Sequence, residues 1–105
     1  MNVVKDLLKS GQTVIGATAS PSGDTAVLAD SGLDFLLFDT QHAPVEIKQL
    51  YPSIQSMRGK KAAPIVRVSA NNADLICFAL DAGARGIIVP MVNTKEEAVA
   101  MVRAC

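Results

Sequence analysis

The chain has 105 residues, half of them hydrophobic, and its ten basic and ten acidic side chains balance. That length makes one domain or part of one. With no basic stripe, no aromatic RNA-binding motif and no apolar run long enough to cross a bilayer, nucleic acid and membrane are excluded as expected partners.

The leading segment "MNVVKDLLKSG" reads as a helix closed by Gly11 and lacks the apolar region and cleavage site of a signal peptide. Gly11, Gly32, Gly59 and Gly83 each follow a helical-looking segment and precede an apolar run, which is the signature of a helix-to-strand step. The runs are residues 14–17, 35–38, 65–68 and 86–89. None alternates cleanly, so parallel strands covered on both faces are expected. A mean hydropathy of +0.30 fits that reading, or surfaces that meet something outside the chain.

The intervening segments read as helices. Ser20 or Ser22 is the expected N-cap of the second. Pro44 is expected at the first position of the third, with Glu46 near its third, and Pro52 should kink or split that helix. Asn71 or Asn72 caps the fourth, in which Cys77 is expected as a core filler. Thr94 and Glu97 have capping-box spacing at the start of the fifth. Cys77 and Cys105 show neither CxxC nor metal-ligand spacing, so the plain reading is a reduced, cytoplasmic protein.

The order is a leading helix and then four βα units: an α/β chain with a parallel sheet. Four such units are half of a (β/α)8 TIM barrel, or a small doubly wound sheet. The chain ends inside a helix with no stop signal, which favours the N-terminal half of a barrel as a single partial domain over residues 1–105.

In either arrangement the residues just after the strands share one face. That face should collect Thr18 and Ser20, then Asp39, Thr40, Gln41 and His42, then Arg67, Ser69 and Asn71, then Met91 and Asn93. His42 and Arg67 come from adjacent strand ends and could reach one small ligand. An imidazole beside a guanidinium suits an anionic carbonyl substrate, because Arg can hold an enolate oxygen in a fork while neutral His moves a proton. The competing readings are plain ones. His42 can be a surface or capping residue. Arg67, which interrupts an apolar strand, can be held by a structural salt bridge to Asp39, and Asp39 can cap the next turn. Asp34 and Asp81 fall near helix ends where solvated turn roles are the default, and Lys60-Lys61 reads as a solvated loop.

"LLFDTQHAP" and "APIVRVSANNADLICFALDAGARGIIVPMVNTKEEA" together resemble the HpcH/HpaI aldolase family, from about Val14 to the C-terminus. The resemblance implies a (β/α)8 barrel and a metal-dependent pyruvate aldolase, a carbon-carbon lyase that reversibly cleaves a 4-hydroxy-2-oxo acid to pyruvate and an aldehyde. It implies a divalent ion (Mg²⁺, Mn²⁺ or Co²⁺) that holds the 2-oxo acid and stabilises its enolate, and a homo-oligomer at full length. It makes His42 the proton acceptor and Arg67 the group that binds substrate and stabilises the oxyanion. Asp81 becomes an acid that raises the basicity of the histidine. That last role conflicts with the topology, which puts Asp81 far from His42 of the same chain unless a neighbouring subunit supplies the contact.

Gln41 stands where the family usually has Glu, so Gln41 and Asp39 are expected around a metal-bound water rather than on the metal. No residue here is a metal ligand; by resemblance the ligands lie in a second half. The isolated chain is therefore expected to be inactive, with two exposed sheet edges. Two alternatives stay open: a non-catalytic half-barrel that binds a partner or assembles with itself, and a citrate-lyase-like acyl-CoA enzyme.

Overall fold

The computed structural model describes residues 2–105. The elements run α1 (Val3–Lys9), β1 (Gly16–Ala19), α2 (Thr25–Ala29), β2 (Phe35–Asp39), α3 (Ile47–Ser56), β3 (Ala63–Arg67), α4 (Ala73–Asp81), β4 (Gly86–Ile88) and α5 (Lys95–Ala104). The four strands are parallel and ordered β1-β2-β3-β4.

This order decides between the two architectures left open by the sequence. A doubly wound sheet reverses its strand order at a switch point and puts helices on both faces. Here each strand pairs with the next, so right-handed crossovers put α2 to α5 on one face. The result is half of a (β/α)8 barrel. Leu36, Phe38, Val66 and Val68 point into the helix layer, where they pack with Leu50, Ile54, Ile76 and Ala79. The six largest fully buried side chains, Phe38, Leu36, Leu50, Ile76, Val66 and Val68, all belong to this layer.

The opposite face of the sheet is not covered in the same way. In β2 and β3 buried residues alternate with half-buried ones, so the strands are not covered on both faces as their apolar runs suggest. Phe35, Leu37, Ala63 and Ile65 line the open side. At the sheet's N-terminal end α1 borders a cleft shared with Ala63, Ile65 and Gly86, with Val4 buried and the Asn2 amide donating to the Arg85 carbonyl at 2.9 Å.

Local signals hold with several shifts. Gly11, Gly32, Gly59 and Gly83 all have positive φ after their helices, the left-handed conformation that only glycine adopts without strain. Gly16 has a different reason: an added Cβ would collide with the Phe35 ring, which lies across it. β1 starts two residues later than the apolar run, because the Ile15 amide donates instead to the Asp34 carboxylate at 2.9 Å. Asp34 therefore is not a solvated turn acid; it also pairs with Lys61, while Lys60 pairs with Asp30. The N-cap of α2 is Asp24, not Ser20 or Ser22, whose hydroxyls bond each other.

Glu46, not a residue before Pro44, caps α3 in a reciprocal box with Gln49. α3 is one element through Pro52, which neither splits nor ends it. Asn72 caps α4 and Thr94 caps α5, but the Glu97 carboxylate accepts from the Asn93 amide rather than from Thr94. Cys77 is exposed on α4 and fills no core; neighbouring Asp81 pushes its thiol pKa up, so it is also a weak nucleophile.

Leu36→Ala should therefore cost about 2–5 kcal/mol, whereas Cys77→Ser should stay within about 0.5 kcal/mol of the parent. Urea unfolding of the two variants checks both.

Candidate functional site

β2 and β3 end side by side, and their register pairs Asp39 with Arg67. Both side chains are on the open side of the sheet, the parity of Leu37 and Ile65. The Arg67 Nε donates to Asp39 Oδ1 at 3.0 Å and its Nη2 donates to Oδ2, a forked contact. Asp39 Oδ1 also accepts from the Gln41 amide at 2.8 Å and the His42 amide at 3.3 Å. The Thr40 hydroxyl and amide both donate to the Arg67 carbonyl, at 2.7 and 3.0 Å. One carboxylate thus fixes the arginine, and with Thr40 it folds residues 40–42 back over the strand end.

The electrostatics follow from these contacts. The Arg67 guanidinium holds the Asp39 carboxyl well below the usual carboxylate range; burial opposes this, and the two loop amides reinforce it. Asp39 in turn raises the Arg67 pKa, so the pair stays ionised. A guanidinium has five N–H donors. Two of Arg67's point at Asp39, which leaves the others for a ligand, and its side chain remains 30% exposed.

The structure brings together Asp39, Gln41, His42 and Arg67. His42 is exposed and Gln41 half-buried, and among the described residues the imidazole has no hydrogen-bond or ion-pair partner. A cleft of about 190 Å³ adjoins the site between the ends of β1 and β2, lined by Thr18, Ser20, Asp39, Val45 and Leu50. Asp81 is not in this group. It lies at the last residue of α4, at the other end of the sheet, where it lines a larger cleft of about 600 Å³ with Lys60, Pro64 and Arg85. The larger cleft lies at the strands' N-terminal ends, away from His42 and Arg67. Ser69 and Asn71 are exposed, and Asn71 ties its loop to the Glu97 carbonyl. Thr40's anchoring role is not legible in the sequence beyond a hydroxyl placed directly after a strand-end acid.

The pattern of the HpcH/HpaI aldolase/citrate lyase family matches residues 18–105. The chain belongs to this family. It is 35% identical to the hydroxypyruvate/pyruvate aldolase of Roseobacter denitrificans over 100% of its own length and 42% of that protein's. It is 37% identical to the 5-keto-4-deoxy-D-glucarate aldolase of Escherichia coli K12, over 92% of this chain and 39% of the relative. A crystal structure of a family protein from Burkholderia cenocepacia J2315 superposes with a TM-score of 0.87 at 30% identity, covering 99% of this chain and 42% of that one. The citrate synthase SbnG superposes with a TM-score of 0.82 at 37% identity, over 94% and 41%. The chain thus spans about two fifths of the length of the curated relatives it matches.

A metal fits these residues poorly. Among the described residues no three His, Cys, Asp or Glu side chains converge. Asp39, the acid at the site, is already saturated by a guanidinium and two amides.

Asp39's lowered pKa sets an acid limit on stability. Its contribution is complete above the unfolded carboxylate value of about 3.9, and it fades as pH falls toward the lower folded value. Asp39→Asn should lower the urea midpoint at pH 7 and flatten its decline between about pH 4 and pH 2. An unchanged acid slope in the variant contradicts the pairing.

Proposed function

We propose that this chain supplies the proton-transfer and oxyanion-holding half of an aldolase site that cleaves a 4-hydroxy-2-oxo acid to pyruvate and an aldehyde. The observation that carries the reading is the Asp39–Arg67 fork at a strand end, with His42 on the next loop. Retro-aldol cleavage needs a base to take the proton from the 4-hydroxyl. It also needs a cation for the oxygen that becomes an enolate. His42, exposed and with no partner on its ring among the described residues, can accept that proton. Arg67 presents its remaining N–H groups to the 2-oxo acid, and Asp39 keeps the guanidinium from swinging. Binding energy is then not spent on ordering that side chain at the moment of reaction.

The divalent ion this chemistry calls for takes its ligands from outside these 105 residues. It would supply Lewis-acid stabilisation of the enolate. Asp81 has no route to His42 within one chain, so a role beside the histidine requires another subunit. The full-length assembly is accordingly proposed to be a homo-oligomer, and the cytoplasm is its proposed location. Gln41 brings no charge to the site. Its backbone amide completes the Asp39 cage, a role that any residue but proline could fill.

A second reading is citrate-lyase-like chemistry on an acyl-CoA ester. The family description, which includes citrate lyase, and the superposition on a citrate synthase favour it. The two readings separate by substrate, since only the aldolase releases pyruvate from a 4-hydroxy-2-oxo acid.

In a full-length protein carrying this chain, His42→Ala should lower kcat for pyruvate release by about 10²–10⁴-fold, and Arg67→Ala by about 10²–10³-fold. A coupled lactate dehydrogenase assay with Mg²⁺, Mn²⁺ or Co²⁺ reads both. Full activity in His42→Ala removes the histidine from the mechanism. The 105-residue chain alone should give no turnover in the same assay, and robust turnover refutes the claim that it holds only part of the site.

A further inference from the structure

α3 and α4 stand in the middle of the helix layer, flanked by α2 and α5. A barrel that grows past α5 and closes on β1 adds helices at the ends of this layer and leaves the pair facing outward. Both helices follow strands of one parallel sheet, so they run in the same direction. One hydrogen bond sets their register: the Gln55 side-chain amide donates to the Ala82 carbonyl at 3.2 Å. Tyr51 precedes Gln55 by one turn, and Phe78 precedes Ala82 by one turn. The two aromatic residues therefore lie at one level, on the facing shoulders of the two helices. We infer that two copies of the protein meet on this outer face about a two-fold axis along the groove, with α3 of each copy on α4 of the other. The inference rests on the fold and not on the aldolase reading, and it gives the proposed homo-oligomer a surface.

The aromatic pair supplies the centre of the contact. Tyr51 is 54% exposed and Phe78 58%, so half of the chain's three Phe and one Tyr stay outside its core. Exposed Pro52 and half-buried Leu75 extend the apolar patch on either helix. Aromatic residues with a polar surround are favoured at the centre of protein interfaces. A two-fold contact is self-complementary. Rotation about an axis along the groove sets Tyr51 against the partner's Phe78 and Phe78 against the partner's Tyr51.

Charge selects this pairing over its alternative. α3 carries Lys48 and no acid, whereas α4 carries Asp74 and Asp81 and no base. Lys48 and Asp74 are both exposed and lie about one turn before the aromatic pair. With α3 on the partner's α4, Lys48 faces the partner's Asp74, and symmetry repeats the contact. An axis across the groove would instead stack like helices antiparallel and set Asp74 against the partner's Asp81. Lys48 is held in the single copy by Glu46 at 3.2 Å, a solvent-exposed pair that contributes little and leaves the ammonium free to turn. The chosen pairing points both catalytic faces the same way, so neither is covered. It leaves Asp81 at the opposite end from the partner's His42.

Sedimentation velocity on a full-length protein carrying this chain tests the surface, and its readout is mass rather than activity. The parent should sediment as two copies or an even multiple of two. Phe78→Asp should halve that mass with the circular dichroism unchanged. Asp74→Lys should raise the dissociation constant by about tenfold, and Lys48→Asp in the same chain should restore it. Cross-linking covers the case in which Phe78→Asp does not fold. In a Cys77→Ser, Cys105→Ser background, co-expressed Tyr51→Cys and Phe78→Cys chains should be joined to each other by a short bismaleimide, and neither should be joined to its own kind. A monomeric parent overturns the inference. So does a folded Phe78→Asp variant with the parent's mass, or a Phe78→Cys chain that links to itself.

Discussion

The fork between Asp39 and Arg67 is the interaction on which the candidate site depends. It ties two strand ends together on the open side of the sheet, and the same carboxylate collects the amides of residues 41 and 42. An arginine in an otherwise apolar strand would be costly without a partner. With Asp39 fixed beside it, the charge is matched and part of the guanidinium is left facing outward. The structural salt bridge and the outward-facing N–H groups of the guanidinium are therefore one arrangement, with the first orienting the second. Likewise the acid that caps the turn is the acid that holds the arginine.

The helix layer makes this possible. Leu36, Phe38, Val66 and Val68 bury one face of β2 and β3 completely and so fix which residues point the other way. A shift of one residue in either strand would send Asp39 and Arg67 into the core. The parallel register, which aligns Phe35 with Ala63 and Asp39 with Arg67, is thus specified by the apolar side and used on the polar side. The sequential strand order then leaves that side of the sheet open. That openness is a consequence of topology that composition only hints at.

Much of this could be read from the residues. The four glycines after helices, the βα alternation, the Asn72 and Thr94 caps and the loop after β2 all depend on local backbone chemistry, and all stand in the structure. Where neighbours compete, local reading was less secure. Asp24 took the cap from two serines that satisfy one another, and Ile15 left the strand for the carboxylate of Asp34. Cys77 sits in an apolar stretch, yet faces outward, because Ile76 and Ala79 already occupy the buried side of α4.

The family, the βα alternation and the separation of Asp81 from His42 follow from the sequence by itself, because glycine spacing, strand composition and the "DTQHAP" and "IVRVS" runs are properties of neighbouring residues. How Arg67 is held, and that the sheet is half of a barrel rather than doubly wound, were decided only by tertiary structure. Both turn on which strands become neighbours and which face the helices take, and those are set by packing between residues far apart along the chain.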